Sequence, residues 1–110
     1  MTPVTLLLVD DEKPFVEIMS RRLRQRGFRV TGVYSGQDAL SHIENDSSVD
    51  VVILDIAMPG MDGMEALQKI KKQHPLIEVI MLTGHGSVPS AIDSMKQGAF
   101  DYAVKPCGID

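Results

Sequence analysis

The sequence is poor in the features that would tie it to an oxidising compartment, a membrane or a nucleic acid. It has one cysteine, Cys107. A lone thiol forms no internal disulfide, so a reducing, cytoplasmic setting is expected. No apolar run approaches the roughly 18–20 residues of a membrane span. Met1-Thr2-Pro3 shows no charged segment leading into an apolar one, so neither an export signal nor a membrane partner is expected. A basic excess is also missing: the net charge is −4. That argues against direct nucleic-acid binding by this domain, though not against work beside a separate DNA-binding domain. His42, His74 and His85 are scattered without zinc-ligand spacing. There is no internal repeat, low-complexity tract or linker.

What is present is enough for one soluble domain. The chain has 110 residues, 44% apolar and 24% charged, which suits a single globular unit with a modest core. Short apolar runs, Thr5–Val9, Arg29–Val33, Val51–Leu54, Val79–Leu82 and Phe100–Val104, alternate with segments of helical periodicity. In Lys13–Arg26, Phe15, Ile18, Met19 and Leu23 are expected on one inward, apolar face, with Arg21, Arg22, Arg24 and Gln25 pointing away, Pro14 suited to the first turn and Gly27 to the stop. Ser35 with Asp38, and Asp62 with Glu65, read as caps of the next two helices. Ser87 is the expected cap of a fourth, with Ala91, Ile92 and Met95 inward and Gly98 ending it. Strands alternating with helices predict a parallel sheet with crossover helices. Runs such as Leu6–Val9 lack polar alternation, as strands buried on both faces do.

The runs end alike. Asp10-Asp11, Asp55, Thr83 and Lys105 each follow an apolar strand. In a parallel sheet the carboxyl ends share one edge, where ligands bind. Converging carboxylates repel and raise one another's pKa values, so a hard divalent cation, Mg²⁺ by its oxygen-donor preference, is the expected partner. Lys105 offers a compact charge and Thr83 a hydroxyl for phosphoryl oxygens. A carboxylate nucleophile among such groups can form an aspartyl phosphate, with catalysis by positioning and charge neutralisation.

The motifs Val9-Asp10-Asp11, Leu54-Asp55-Ile56-Ala57-Met58-Pro59-Gly60-Met61-Asp62-Gly63, Leu82-Thr83-Gly84 and Val104-Lys105-Pro106, in this order, resemble the receiver domains of response regulators in bacterial two-component systems. The resemblance covers essentially the whole chain. The stretch from Thr83-Gly84-His85-Gly86 to Ala99-Phe100-Asp101-Tyr102 is most similar to receivers of nitrogen-regulation-type transcriptional activators. The resemblance implies a flavodoxin-like (CheY-like) α/β three-layer sandwich, its five parallel strands in the order 2-1-3-4-5. It implies a phosphorylation-dependent switch with Asp55 as phosphoacceptor. Asp11 would bind Mg²⁺ directly, Asp10 largely through water, and Asp55 and the Ala57 carbonyl would complete the protein ligands. Lys105 would contact the phosphoryl group, Thr83 would move toward it, and Tyr102 would swing inward. The Lys105-Pro106 bond would be cis. The surface of the fourth helix and fifth strand would change shape, a shift between two states. The implied partners are a sensor histidine kinase or phosphotransfer protein, with an effector domain or a homodimer beyond it. Such a domain catalyses only its own phosphorylation and dephosphorylation. His85, two residues past Thr83, is expected to border the site and tune water access.

Residues 1–110 are thus expected to form one receiver domain, shortened at its C-terminus, because the resemblance calls for one more helix after Lys105-Pro106. The alternative on the same fold is an interaction module that is never phosphorylated; loss of Asp55, the acidic pair or Lys105 would favour it, and all are present. A flavodoxin needs a hydroxyl-rich phosphate loop where Asp10-Asp11-Glu12 stands, and a P-loop NTPase needs a motif that is absent. An aspartate-based phosphatase would place a second acid where Ala57 stands.

Overall fold

The computed structural model describes residues 3–84 and 88–105, with the backbone alone for 88–91. Strands and helices alternate: β1 (Thr5–Val9), α1 (Lys13–Gln25), β2 (Arg29–Val33), α2 (Gly36–Asn45), β3 (Val51–Asp55), α3 (Gly63–Gln73), β4 (Glu78–Thr83), α4 (Val88–Lys96) and β5 (Asp101–Val104). The sheet is parallel throughout, in the order β2-β1-β3-β4-β5. The expected strands all form, with ends shifted by at most one residue. The additional C-terminal helix would fall beyond Lys105, outside the described residues.

Strands β1 to β4 serve two cores because their side chains alternate between faces. Leu7 and Val9 join Val52, Leu54, Val79 and Met81 against α2 and α3, through Ala39, Ile43, Ala66, Leu67 and Ile70. Leu6 and Leu8 join Val30 and Leu82 against α1, through Val16, Met19 and Leu23. This two-sided burial explains the unbroken apolar runs of β1 and β3.

The helix ends follow their side chains. Ser35 accepts from the Asp38 N–H and Asp62 from the Glu65 N–H, capping α2 and α3 as expected. Gly27 and Gly98 follow α1 and α4 with φ of 97° and 105°. Two helix faces differ from the sequence reading. In α1 the inward stripe is Val16, Met19, Ser20 and Leu23, while Ile18 is 50% exposed. The reason lies in β2: a Cβ on Gly32 would collide with the Val16 side chain and lie 3.6 Å from Ser20 Oγ. The bare glycine lets α1 settle over β2 on those two residues and turns Ile18 outward. Among the described side chains of α4, Ile92 and Met95 are exposed and Ser94 is buried, as is Ala99 just after the helix; the side chain of Ala91 lies outside the described ones. Small residues make that contact, so the larger ones stay outside. Ser87 lies outside the described residues.

Candidate functional site

Sheet register brings the strand ends together. Val9 pairs with Leu54, Asp55 with Leu82, and Thr83 with Val104. Past those pairs the Asp10 N–H donates to the Val33 carbonyl, Ile56 to Leu82, and Lys105 to Thr83. The backbone of each functional segment is therefore held by the neighbouring strand. Continuing the strand alternation, Asp10 follows Leu6 and Leu8, Asp55 follows Val51 and Ile53, and Lys105 follows Ala103, all on the α1 side. Asp10 and Asp55 are buried, and Asp11 is exposed.

The loop after β3 is pinned from below. The Gly63 N–H donates to the Ile56 carbonyl at 2.8 Å. A Cβ on Gly63 would run into the Asp55 carbonyl oxygen and lie 2.6 Å from Ile56 Cα. Only glycine lets α3 begin directly against the backbone of Asp55. The Asp62-Gly63 pair is thus structural, as turn and cap chemistry suggested. Met58 is buried, and Met61 and Met64 pack against the same core, so they cover it.

Asp10, Asp11 and Asp55 each offer an oxygen within 4.8 Å of the others. Lys105 Nζ faces them, 2.5 Å from Asp10 Oδ2 and 3.7 Å from Asp55 Oδ2. It also lies 2.8 Å from Glu12 Oε1 and 4.7 Å from the centre of the Phe15 ring. Burial, reinforced by the Asp10 charge, pushes the Asp55 carboxyl up to about 6, against the pull of Lys105 and of the Ala57 N–H. Burial works to lower Lys105, but hydrogen bonds to Asp10 and Glu12 and the Asp10 and Asp55 charges carry it above its ordinary range. The hydrogen bond and charge of Lys105 hold Glu12 below the usual carboxylate range.

Three carboxylates with all-oxygen donors and one reluctant to ionise fit a hard divalent cation, and the cluster can chelate one. The Ala57 N–H donates to Asp55 Oδ1 at 3.3 Å. Thr83 is buried, and its Oγ1 has no hydrogen-bond partner among the described residues. Tyr102 is 43% exposed on β5, at the sheet edge beside Met81. His85 and Pro106, also expected at the site, lie outside the described residues, as does Cys107. Glu12 and Phe15 are the two neighbours of Lys105 that the sequence did not single out. Glu12 counted only as part of an acidic run and Phe15 only as core.

The chain matches the family model described as the response regulator receiver domain over residues 6–110. It is 40% identical over 108 residues to the transcriptional regulatory protein GlrR of Escherichia coli strain K12, covering 98% of this chain and 24% of that protein. It is 39% identical over 103 residues to the DNA-binding transcriptional regulator NtrC of Klebsiella pneumoniae, covering 94% and 22%. It spans about a quarter of the length of these curated relatives. Among solved structures, the receiver domain of NtrX from Brucella abortus superposes with a TM-score of 0.88 at 36% identity, covering 96% of this chain and 88% of that one. A receiver domain protein from Clostridium thermocellum gives 0.91 at 38% identity, covering 96% and 85%.

Proposed function

The chain belongs to the response-regulator receiver family, and on that premise we propose that Asp55 accepts a phosphoryl group beside Mg²⁺ held by Asp10, Asp11, Asp55 and the Ala57 carbonyl. One observation carries this reading: three carboxylates of the β1 and β3 ends meet within 4.8 Å, with a lysine ammonium 3.7 Å from Asp55 Oδ2. Mg²⁺, when bound, would neutralise charge on the transferring group.

The residues divide the work. An Asp55 oxygen forms a bond to phosphorus while the donor's bond to phosphorus breaks, its electron pair leaving with the donor. Lys105 supplies a positive charge to one phosphoryl oxygen and Thr83 a hydroxyl donor to another. Thr83 Oγ1 is suited to this because it has no competing partner among the described residues. Its movement would open space for Tyr102, now exposed on β5, and so couple Asp55 to the α4–β5 surface. His85 would border the site and Pro106 would set the backbone after Lys105. The domain is a switch in two-component signalling and acts only on its own phosphoryl group. Its donor would be a histidine kinase or phosphotransfer protein, and its output an effector domain or a homodimer. No helix among the described residues is long and apolar enough to cross a membrane, in keeping with a cytoplasmic site of action.

The test is an intact-mass measurement after incubation with Mg²⁺ and acetyl phosphate. One added phosphoryl mass is expected, absent without Mg²⁺ and absent in Asp55→Asn. No addition to a folded protein that binds Mg²⁺ would favour the phosphorylation-independent interaction module instead.

A further inference from the structure

Glu12 stands in the N-cap position of α1, yet its side chain makes no capping bond. The caps of α2 and α3, Ser35 and Asp62, each accept from an N–H three residues on. Glu12 instead reaches Lys105 Nζ at 2.8 Å, across 93 residues of sequence. Its backbone N–H meanwhile donates to Asp10 Oδ1 at 2.9 Å, and Asp10 Oδ2 takes the same ammonium at 2.5 Å. The Phe15 ring, one turn into α1, lies 4.7 Å from Nζ. The first turn of α1 is therefore a socket for the Lys105 ammonium.

We propose that Glu12 is a positioning residue that competes with the phosphoryl group for Lys105, and so restrains the charge that Lys105 delivers to Asp55. The inference rests on the phosphoacceptor reading above. Asp10, Asp11 and Asp55 form the cation-binding trio, and Glu12 is outside it. When those three turn their oxygens to a divalent cation, Asp10 can no longer also hold an ammonium at close range, since like charges would crowd one carboxylate. Glu12 is then the remaining carboxylate in contact with Lys105. A phosphoryl group on Asp55 must draw the ammonium away from it. Because Glu12 is 65% exposed at its side chain, the restraint is that of a solvent-screened ion pair.

The experiment titrates the Mg²⁺-loaded protein with beryllofluoride, a mimic of the phosphoryl group, in wild type, Glu12→Gln, Lys105→Ala and the double variant. Glu12→Gln is expected to bind about two- to five-fold more tightly, the range of an exposed ion pair. The gain should vanish in the Lys105→Ala background. Side-chain relaxation of the Lys105 Cε group in the Mg²⁺-loaded protein supplies a second readout, and it decides the matter if Lys105→Ala binds no beryllofluoride. Glu12→Gln should make that methylene more mobile, and Glu12→Asp should restore part of the restraint. A gain that persists without Lys105 would mean that Glu12 acts through its field alone and would overturn the proposal, as would unchanged affinity or unchanged Lys105 mobility. Wild-type protein that binds Mg²⁺ but no beryllofluoride would overturn the Asp55 reading itself, and this inference with it.

Discussion

Lys105 and Asp10 are ion-paired at 2.5 Å, so the cation expected to meet a phosphoryl group also neutralises a carboxylate expected to meet a metal. The two roles oppose each other. Near 4 Å, unit charges at an effective dielectric near 20 interact by roughly 4 kcal/mol, before movement of the flexible lysine relieves it. Lys105→Ala should therefore tighten Mg²⁺ binding, by about ten-fold, while slowing Asp55 phosphorylation by about 100-fold through loss of charge stabilisation. Calorimetric Mg²⁺ titration and the rate of mass gain from acetyl phosphate read the two effects. Weaker Mg²⁺ binding in the variant would show that Lys105 organises the carboxylates more than it competes for them.

Asp55 sets a pH dependence whose sign follows from its raised pKa. The folded protein holds the Asp55 proton to about 6, whereas the ordinary value is 3.8. The protonated form is favoured by folding, so this contribution to stability is complete below about 3.8 and is lost as pH rises through about 6. Without metal, Asp55→Asn should melt higher than wild type at pH 7.5, by at least about 4 °C, the shift that 1 kcal/mol makes in a domain of this size. The difference should disappear at pH 4. Added Mg²⁺ should stabilise wild type more than the variant at pH 7.5, and its affinity should fall as pH drops below about 6. Thermal melts across pH, with and without Mg²⁺, check all three; a variant equally stabilised at both pH values would remove Asp55 ionisation as the cause.

Gly63 joins stability to the site. Its missing Cβ lets α3 start against the Asp55 backbone, so Gly63→Ala must push the β3–α3 loop away. The expected loss is about 1–3 kcal/mol in denaturant unfolding, the usual cost of overpacking, with weaker Mg²⁺ binding because Asp55 moves too. Asp62→Ala removes only the α3 cap and should cost about 1 kcal/mol with Mg²⁺ affinity unchanged. If both variants behaved alike, the close approach at Gly63 would be irrelevant to the site.

Most of the fold could be read in advance because its signals are local. Leu6–Val9 announces a strand buried on both faces, and Ser35 and Asp62 announce helix starts. Asp10, Asp55, Thr83 and Lys105 could be grouped because each ends a strand and parallel strands end at one edge. What could not be read depends on contacts distant in sequence. Glu12 meets Lys105 only through the fold, and the face of α1 was set by Gly32 on another element. That correction is measurable. Val16→Ala should cost about 1–3 kcal/mol as a core truncation, and Ile18→Ala less than about 0.5 kcal/mol as a surface change. Equal losses would restore the inward reading of Ile18.

Thr83 carries the opposite imprint of function. Its side chain is buried and its Oγ1 has no hydrogen-bond partner among the described residues. A buried hydroxyl without a partner costs on the order of 1–3 kcal/mol. Valine has nearly the same shape and lacks that penalty, so Thr83→Val should leave the unphosphorylated protein as stable as wild type or more so, by about 1 kcal/mol. If the hydroxyl serves the phosphoryl group, the same variant should bind beryllofluoride with Mg²⁺ more weakly, by about ten-fold for one lost hydrogen bond to a charged acceptor. Denaturant unfolding without ligand and a beryllofluoride titration give the two numbers. A variant that lost stability without losing affinity would mean that Oγ1 has a structural partner, and the hydroxyl would then have no part in phosphoryl binding.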